Sequence, residues 1–268
     1  MTDNPFKAAT FAALRKSYGE CQVLKLSFDQ NVTKMTEYFI TVNLCKALLK
    51  WNEKDGYNYK IEAEKNTQTL YKNCFENYKQ LREDIWSPTI FASQSKEYSQ
   101  NYDAIRSGKV DIALSRICNS ENISEYIFEA KAINPDMGEL KKDFQRIQQF
   151  LAAEIPNFEN SLKSGFIVFI MHHNNLNKIQ KKESLMESQS ACIDRLEVEF
   201  AEFKNPGIGF KVQTEDINLS AAESRNITDG FDYGEEAYST FYAYGVIIEI
   251  QKLKQLEKSI ISSSVSEH

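Results

Sequence analysis

The stretch from Gly165 to Met171, GFIVFIM, carries no polar side chain and is rich in β-branched and aromatic residues. A run of this kind suits a strand covered on both faces, since a half-solvated strand alternates instead. Covering both faces of a sheet takes helices on either side. The chain is therefore expected to be α/β. The same run is far too short to span a bilayer, and residues 1–18 lack the apolar stretch of a signal peptide, so a cytoplasmic location with no membrane contact is expected.

The remaining periodicities fill in that frame. Met35, Phe39, Val42, Cys45 and Leu49 recur at helical steps between Thr33 and Trp51. Tyr57, Tyr59, Ile61 and Ala63 alternate as in a strand, and 67–85 reads as a helix ended by Ser87-Pro88. Val110, Ile112 and Leu114 alternate, and Tyr126 to Ala130 forms a second strand, with a turn over Asn119–Ser124, so the pair reads as a hairpin. After the break Asn134-Pro135-Asp136, a helix to about Glu154 shows the stripe Leu140, Phe144, Ile147, Leu151. Lys178 to Phe203 is largely helical, and Phe210–Val212 and Tyr238–Ile250 read as late strands. The expected organisation is an N-terminal arm (1–32), a core (33–172), an extension packed on it (173–258) and a tail (259–268).

Composition excludes some chemistries. Five dispersed cysteines without a CxxC pair fit a reducing compartment and no zinc site. The net charge of −6 excludes a protein that coats nucleic acid along its whole surface, so contact with DNA requires a local basic patch.

Within the hairpin two acids sit among apolar neighbours: Asp111 between Val110 and Ile112, and Glu129 between Phe128 and Ala130. A carboxylate in such a strand is costly to bury without a partner. Lys131 follows Glu129 by two residues and shares its face of the strand. Two carboxylates and an ammonium group supply what phosphodiester hydrolysis needs: oxygen ligands for Mg²⁺ and a cation beside the attacking water. His172 and His173, adjacent on a strand, point to opposite faces and so make a poor metal pair.

Asp111 followed by Glu129-Ala130-Lys131 resembles the D…(D/E)xK motif of the PD-(D/E)XK nuclease superfamily. The helix–strand–hairpin–helix–strand order over 33–172 is similar to that family's restriction-endonuclease-like αβββαβ core, and the resemblance implies a mixed central sheet flanked by helices, here with N- and C-terminal additions. Val110 stands where some members have proline, and no QxxxY box follows the motif: Gln145 is followed four residues later by Gln149. Glu62-Ala63-Glu64-Lys65 offers a second acid–lysine pair but lacks an upstream strand aspartate and a downstream basic helix.

The resemblance implies Mg²⁺, replaceable by Mn²⁺, held by Asp111, Glu129, the Ala130 main-chain carbonyl and Glu37 of the first helix, with Lys131 orienting the nucleophilic water. It implies that Lys141, Lys142, Gln145, Arg146 and Gln149 face nucleic acid. The expected activity is a DNA endonuclease, with restriction or anti-phage defence, a regulatory partner protein and homodimerisation suggested by analogy. Two rivals stand beside it: a non-catalytic nucleic-acid- or protein-binding module that keeps the nuclease fold, and a hydrolase centred on His172 and His173.

Overall fold

The computed structural model describes residues 5–23, 33–75, 108–118, 121–154, 158–173, 181–203, 205–218 and 242–253. They form helices α1 (Lys7–Val23) and α2 (Thr33–Lys54), strand β1 (Tyr59–Asn66), helix α3 (Thr67–Asn73), strands β2 (Lys109–Cys118) and β3 (Glu121–Ile133), helix α4 (Met137–Ala152), strand β4 (Ser164–His173), helix α5 (Lys181–Ala201), and strands β5 (Ile208–Asp216) and β6 (Tyr242–Lys252). The six strands make one mixed sheet in the order β1-β2-β3-β4-β6-β5. Only β3 and β4 run parallel; every other neighbouring pair is antiparallel. Among the described residues no helix is long and apolar enough to cross a membrane.

Alternation along each strand sends side chains into two cores. Phe128 and Phe166 stack at 4.6 Å on the face covered by α1 and α2, where Phe6, Phe11, Leu14, Ile40, Leu44 and Leu48 are buried. Ile127, Ile167 and Phe169 point to the opposite face, under α3, α4 and α5, where Phe144 stacks on Phe200 at 4.3 Å. The GFIVFIM strand is β4, buried on both sides as its composition requires.

Several expectations need correction. In the described part of the expected N-terminal arm, α1 lies directly against β6, and a Cβ added at Gly245 would come within 2.8 Å of Leu14. Helix α2 is rotated from the expected stripe. Met35 and Leu49 are 49% and 47% exposed, while Ile40, Leu44 and Leu48 are buried. Both stripes are apolar, so packing against α1 and the sheet, not periodicity, chose between them. Residues 122–124, read as turn, are strand, because β2 and β3 stay paired out to Cys118 and Glu121. The region after 173 joins the core through β6, which pairs along the whole of β4. Helix α3 begins as expected, capped by the Asn66 side chain accepting from the backbone of Gln68 and Thr69. The expectations for 76–107, 238–241 and the tail lie outside the described residues.

Helix α4 approaches β4 closely enough that a Cβ at Gly165 would sit 2.3 Å from Ile147 Cγ2. Gly165→Ala is expected to lower stability by about 1–3 kcal/mol through overpacking. In the Gly165→Ala/Ile147→Ala double variant the combined loss should be smaller than the sum of the two single losses. Urea denaturation of the four proteins measures this, and strict additivity would mean that the two positions do not compete for space.

Candidate metal centre

The site grows from the end of the β2–β3 ladder. The register pairs Ile112 with Phe128, and one further step puts Asp111 across from Glu129. There the ladder is completed by a side chain: Asp111 Oδ2 accepts from the Ala130 N–H at 2.7 Å. Glu129 and Lys131 share a parity with Ile127 and so project toward α4. The β3–β4 register slips between Ala130 and Ile133. Beyond it Asn134 takes a left-handed φ of 51°. Its side chain donates to the His172 carbonyl at 2.9 Å and accepts from the His172 N–H at 2.8 Å. This clamp fixes where β3 ends and α4 starts, and the Asp136 side chain then caps α4 by accepting from Gly138.

Helix α4 brings two further groups. Asp143 is buried and sits 2.8 Å from Lys131 Nζ and 2.8 Å from Arg146 Nη2. Arg146 Nη2 also lies 2.6 Å from Glu129 Oε1, although off the hydrogen-bond direction, so that this buried oxygen has an ionic contact and no hydrogen bond. Glu37, in the first turns of α2, reaches Lys131 Nζ at 3.9 Å from the other side of the sheet. The structure thus brings Asp111, Glu129, Lys131 and Glu37 to one sheet end and adds Asp143. Asp143 went unnamed in the sequence reading, yet its signal was present: it occupies one of the buried positions 140, 143, 144, 147, 150 and 151 of α4. An acid in an apolar stripe calls for a cationic partner.

Burial dominates the electrostatics. Glu129, 2% exposed, is pushed well above the ordinary carboxylate range by burial; Arg146 opposes the rise, and Asp111 and Asp143 add to it. Burial also raises Asp111, against the Ala130 N–H and Lys131, and raises Glu37, against Lys131. For Lys131, burial alone would lower the pKa, but Asp143, then Glu37 and Glu129, outweigh it and raise it. Lys131 is therefore a held ammonium, suited to orienting a water and stabilising negative charge and unsuited to taking a proton.

By charge and donor type, though not by the present placement of its side chains, the donor set suits a hard divalent cation. The carboxylates Glu37, Asp111, Glu129 and Asp143 face the cations Lys131 and Arg146; with all ionised, the deficit is two charges, which one divalent ion supplies. Among the described residues no three His, Cys, Asp or Glu side chains already form a metal cage. Glu129 and Asp143 are instead held by cationic side chains.

The expected nucleic-acid face of α4 divides. Lys142, Gln145 and Gln149 are exposed along one outward stripe. Arg146 turns inward to the site, and Lys141 turns to α5, pairing with Glu199 at 2.7 Å and Glu202 at 2.6 Å. Glu64, of the second acid–lysine pair, lies next to the site: it has a φ of 54° where the β1–β2 register passes from Ala63–Ile112 to Lys65–Val110, and its charge helps raise Asp111. Lys65 is buried against Glu62, away from any such role. His172 is buried with Nδ1 3.0 Å from the Tyr18 hydroxyl. His173 stacks on Tyr242 at 4.8 Å and on Tyr244 at 5.8 Å. The two histidines thus belong to different layers. No protein-family model, no curated protein and no solved structure matches this chain.

A carboxyl whose pKa is higher in the folded state binds its proton more tightly there than in the unfolded chain. Its contribution is complete below the ordinary carboxylate pKa and is lost as pH rises toward the folded value. Glu129 is therefore expected to make wild type lose stability, relative to Glu129→Gln, as pH climbs above the ordinary carboxylate range. Denaturation curves for both proteins between about pH 4 and pH 8 test the sign. Wild type that holds or gains stability relative to Glu129→Gln as pH rises would contradict it.

Proposed function

We propose that this chain is a Mg²⁺-dependent phosphodiesterase that cuts DNA, built on a restriction-endonuclease-like αβββαβ core formed by α2, β1, β2, β3, α4 and β4. The observation that carries the reading is local. One strand presents Glu129 and Lys131 on a single face, and the peptide N–H between them is bonded to Asp111.

In this reading Asp111, Glu129 and the Ala130 carbonyl hold the cation, and Glu37 stands ready from α2 as a further acid. A divalent ion bound there would supply Lewis acidity toward the phosphate. Lys131, kept protonated by Asp143, would donate toward the attacking water and fix its direction. Lys142, Gln145 and Gln149 line the outer face of α4 along which a phosphate backbone would run. Because the chain is acidic overall, DNA contact is confined to this region, and its affinity should fall steeply with salt. Service in restriction or phage defence, with a regulatory partner or as a homodimer, completes the proposal by analogy alone.

A second reading draws on the same contacts. The pairs Arg146–Glu129 and Lys131–Asp143 satisfy most of the buried charge without any ion, as they would in a binding module that has kept the fold.

Cleavage of plasmid and single-stranded DNA with Mg²⁺ or Mn²⁺ separates the two. Asp111→Asn, Glu129→Gln and Lys131→Gln are each expected to lower the rate by roughly a hundredfold or more while circular dichroism stays that of wild type. Equal cleavage by all four proteins would reject the nuclease assignment. Cleavage by none, together with Mn²⁺-independent DNA binding, would favour the binding module.

A further inference from the structure

We propose that Arg146 is a displaceable counter-ion, neutralising Glu129 in the metal-free site and turning to a substrate phosphate once a divalent ion is bound. The inference rests on the metal-centre reading above and adds to it a residue whose partner changes.

The geometry separates the roles of the two cations. Lys131 is anchored on Asp143, with Glu37 farther off at 3.9 Å. Arg146 bridges Asp143 and Glu129 with a single nitrogen, Nη2, at 2.8 and 2.6 Å. It thus occupies one of the two Glu129 oxygens that a metal ion could use. Without a cation there, Glu129 would be an uncompensated buried charge. With a divalent ion there, Arg146 would face strong repulsion at short range in a medium of low dielectric.

The displaced side chain has a route outward. Arg146 is 23% exposed, and its Nε is buried without a hydrogen-bond partner, so the guanidinium is incompletely bonded where it sits. Its Nη1 lies 4.0 Å from where a Cβ on Gly108 would stand, so its outer side borders a residue with no side chain. Asp143 can keep one nitrogen as a pivot while the rest of the group leaves Glu129. A planar guanidinium facing outward matches two phosphate oxygens, a geometry lysine does not reproduce.

Calorimetric titration of Mn²⁺ at about pH 8.5, where proton competition for carboxylates is reduced, tests the exchange. Arg146→Ala is expected to bind Mn²⁺ at least about tenfold more tightly than wild type, and Arg146→Lys to fall nearer wild type. A measurement on wild type guards against a variant that misfolds. The Arg146 Nε–Hε NMR signal, assigned by its loss in Arg146→Lys, should shift on Mg²⁺ addition and shift again with a non-hydrolysable dinucleotide.

Equal or weaker Mn²⁺ affinity in Arg146→Ala, or an unmoved Arg146 signal while wild type takes up Mg²⁺, would overturn the counter-ion and leave the metal centre standing. No uptake of Mn²⁺ by any of the three proteins would remove the metal centre, and the counter-ion with it.

Discussion

The carboxylate of Asp143 is the contact around which the site is arranged. It lies under the sheet with Lys131 on one side and Arg146 on the other, both at 2.8 Å. Two cations close together in a poorly solvated place would repel each other, and their common anion offsets that repulsion and holds Lys131 as an ammonium. Remove that anion and Lys131 loses the group that keeps it an ammonium, while Arg146 keeps only an off-axis contact with Glu129. The α4 face of the sheet end is a charge network in which each member's state is set by the others, and the α2 side adds Glu37.

That network depends on local backbone detail. The register slip after Ala130, the left-handed Asn134 and its two hydrogen bonds to His172 end β3 where Lys131 can meet a helix approaching from the sheet's face. Gly165 lets α4 sit close to β4, which sets the depth at which Asp143 and Arg146 enter. A packing constraint in the core and an ion pair at the sheet's end are thus linked through one rigid helix.

Much of this was legible in the residues. The apolar run of β4 announced a sheet covered on both sides, and the acids inside β2 and β3 marked the unusual end of that sheet, because a carboxylate among aliphatic neighbours needs a reason. What escaped had physical causes. The buried face of α2 was ambiguous because Met35 and Leu49 are as apolar as Ile40 and Leu48, and only the presence of α1 decides. α1 itself was missed because its low amphipathicity hides residues that pack on Gly245. Asp143 was overlooked among the charged residues of α4, although its position in the apolar stripe distinguished it. That Arg146 faces inward and Lys141 faces α5 depends on distant residues, Glu129 and Glu199, which no local pattern connects.

The place of β6 has a bearing on how the molecule comes into being. It lies between β4 and β5, yet it is the last described strand in the chain, about seventy residues after the segment it pairs with. During vectorial synthesis every residue of the charged cluster has left the ribosome while the far edge of β4, apolar on both faces, still lacks its neighbour. The nascent protein must shelter that bare ladder until residues 242–252 arrive. A chain halted before them would carry every group of the site on a sheet whose most adhesive strand is open to other molecules.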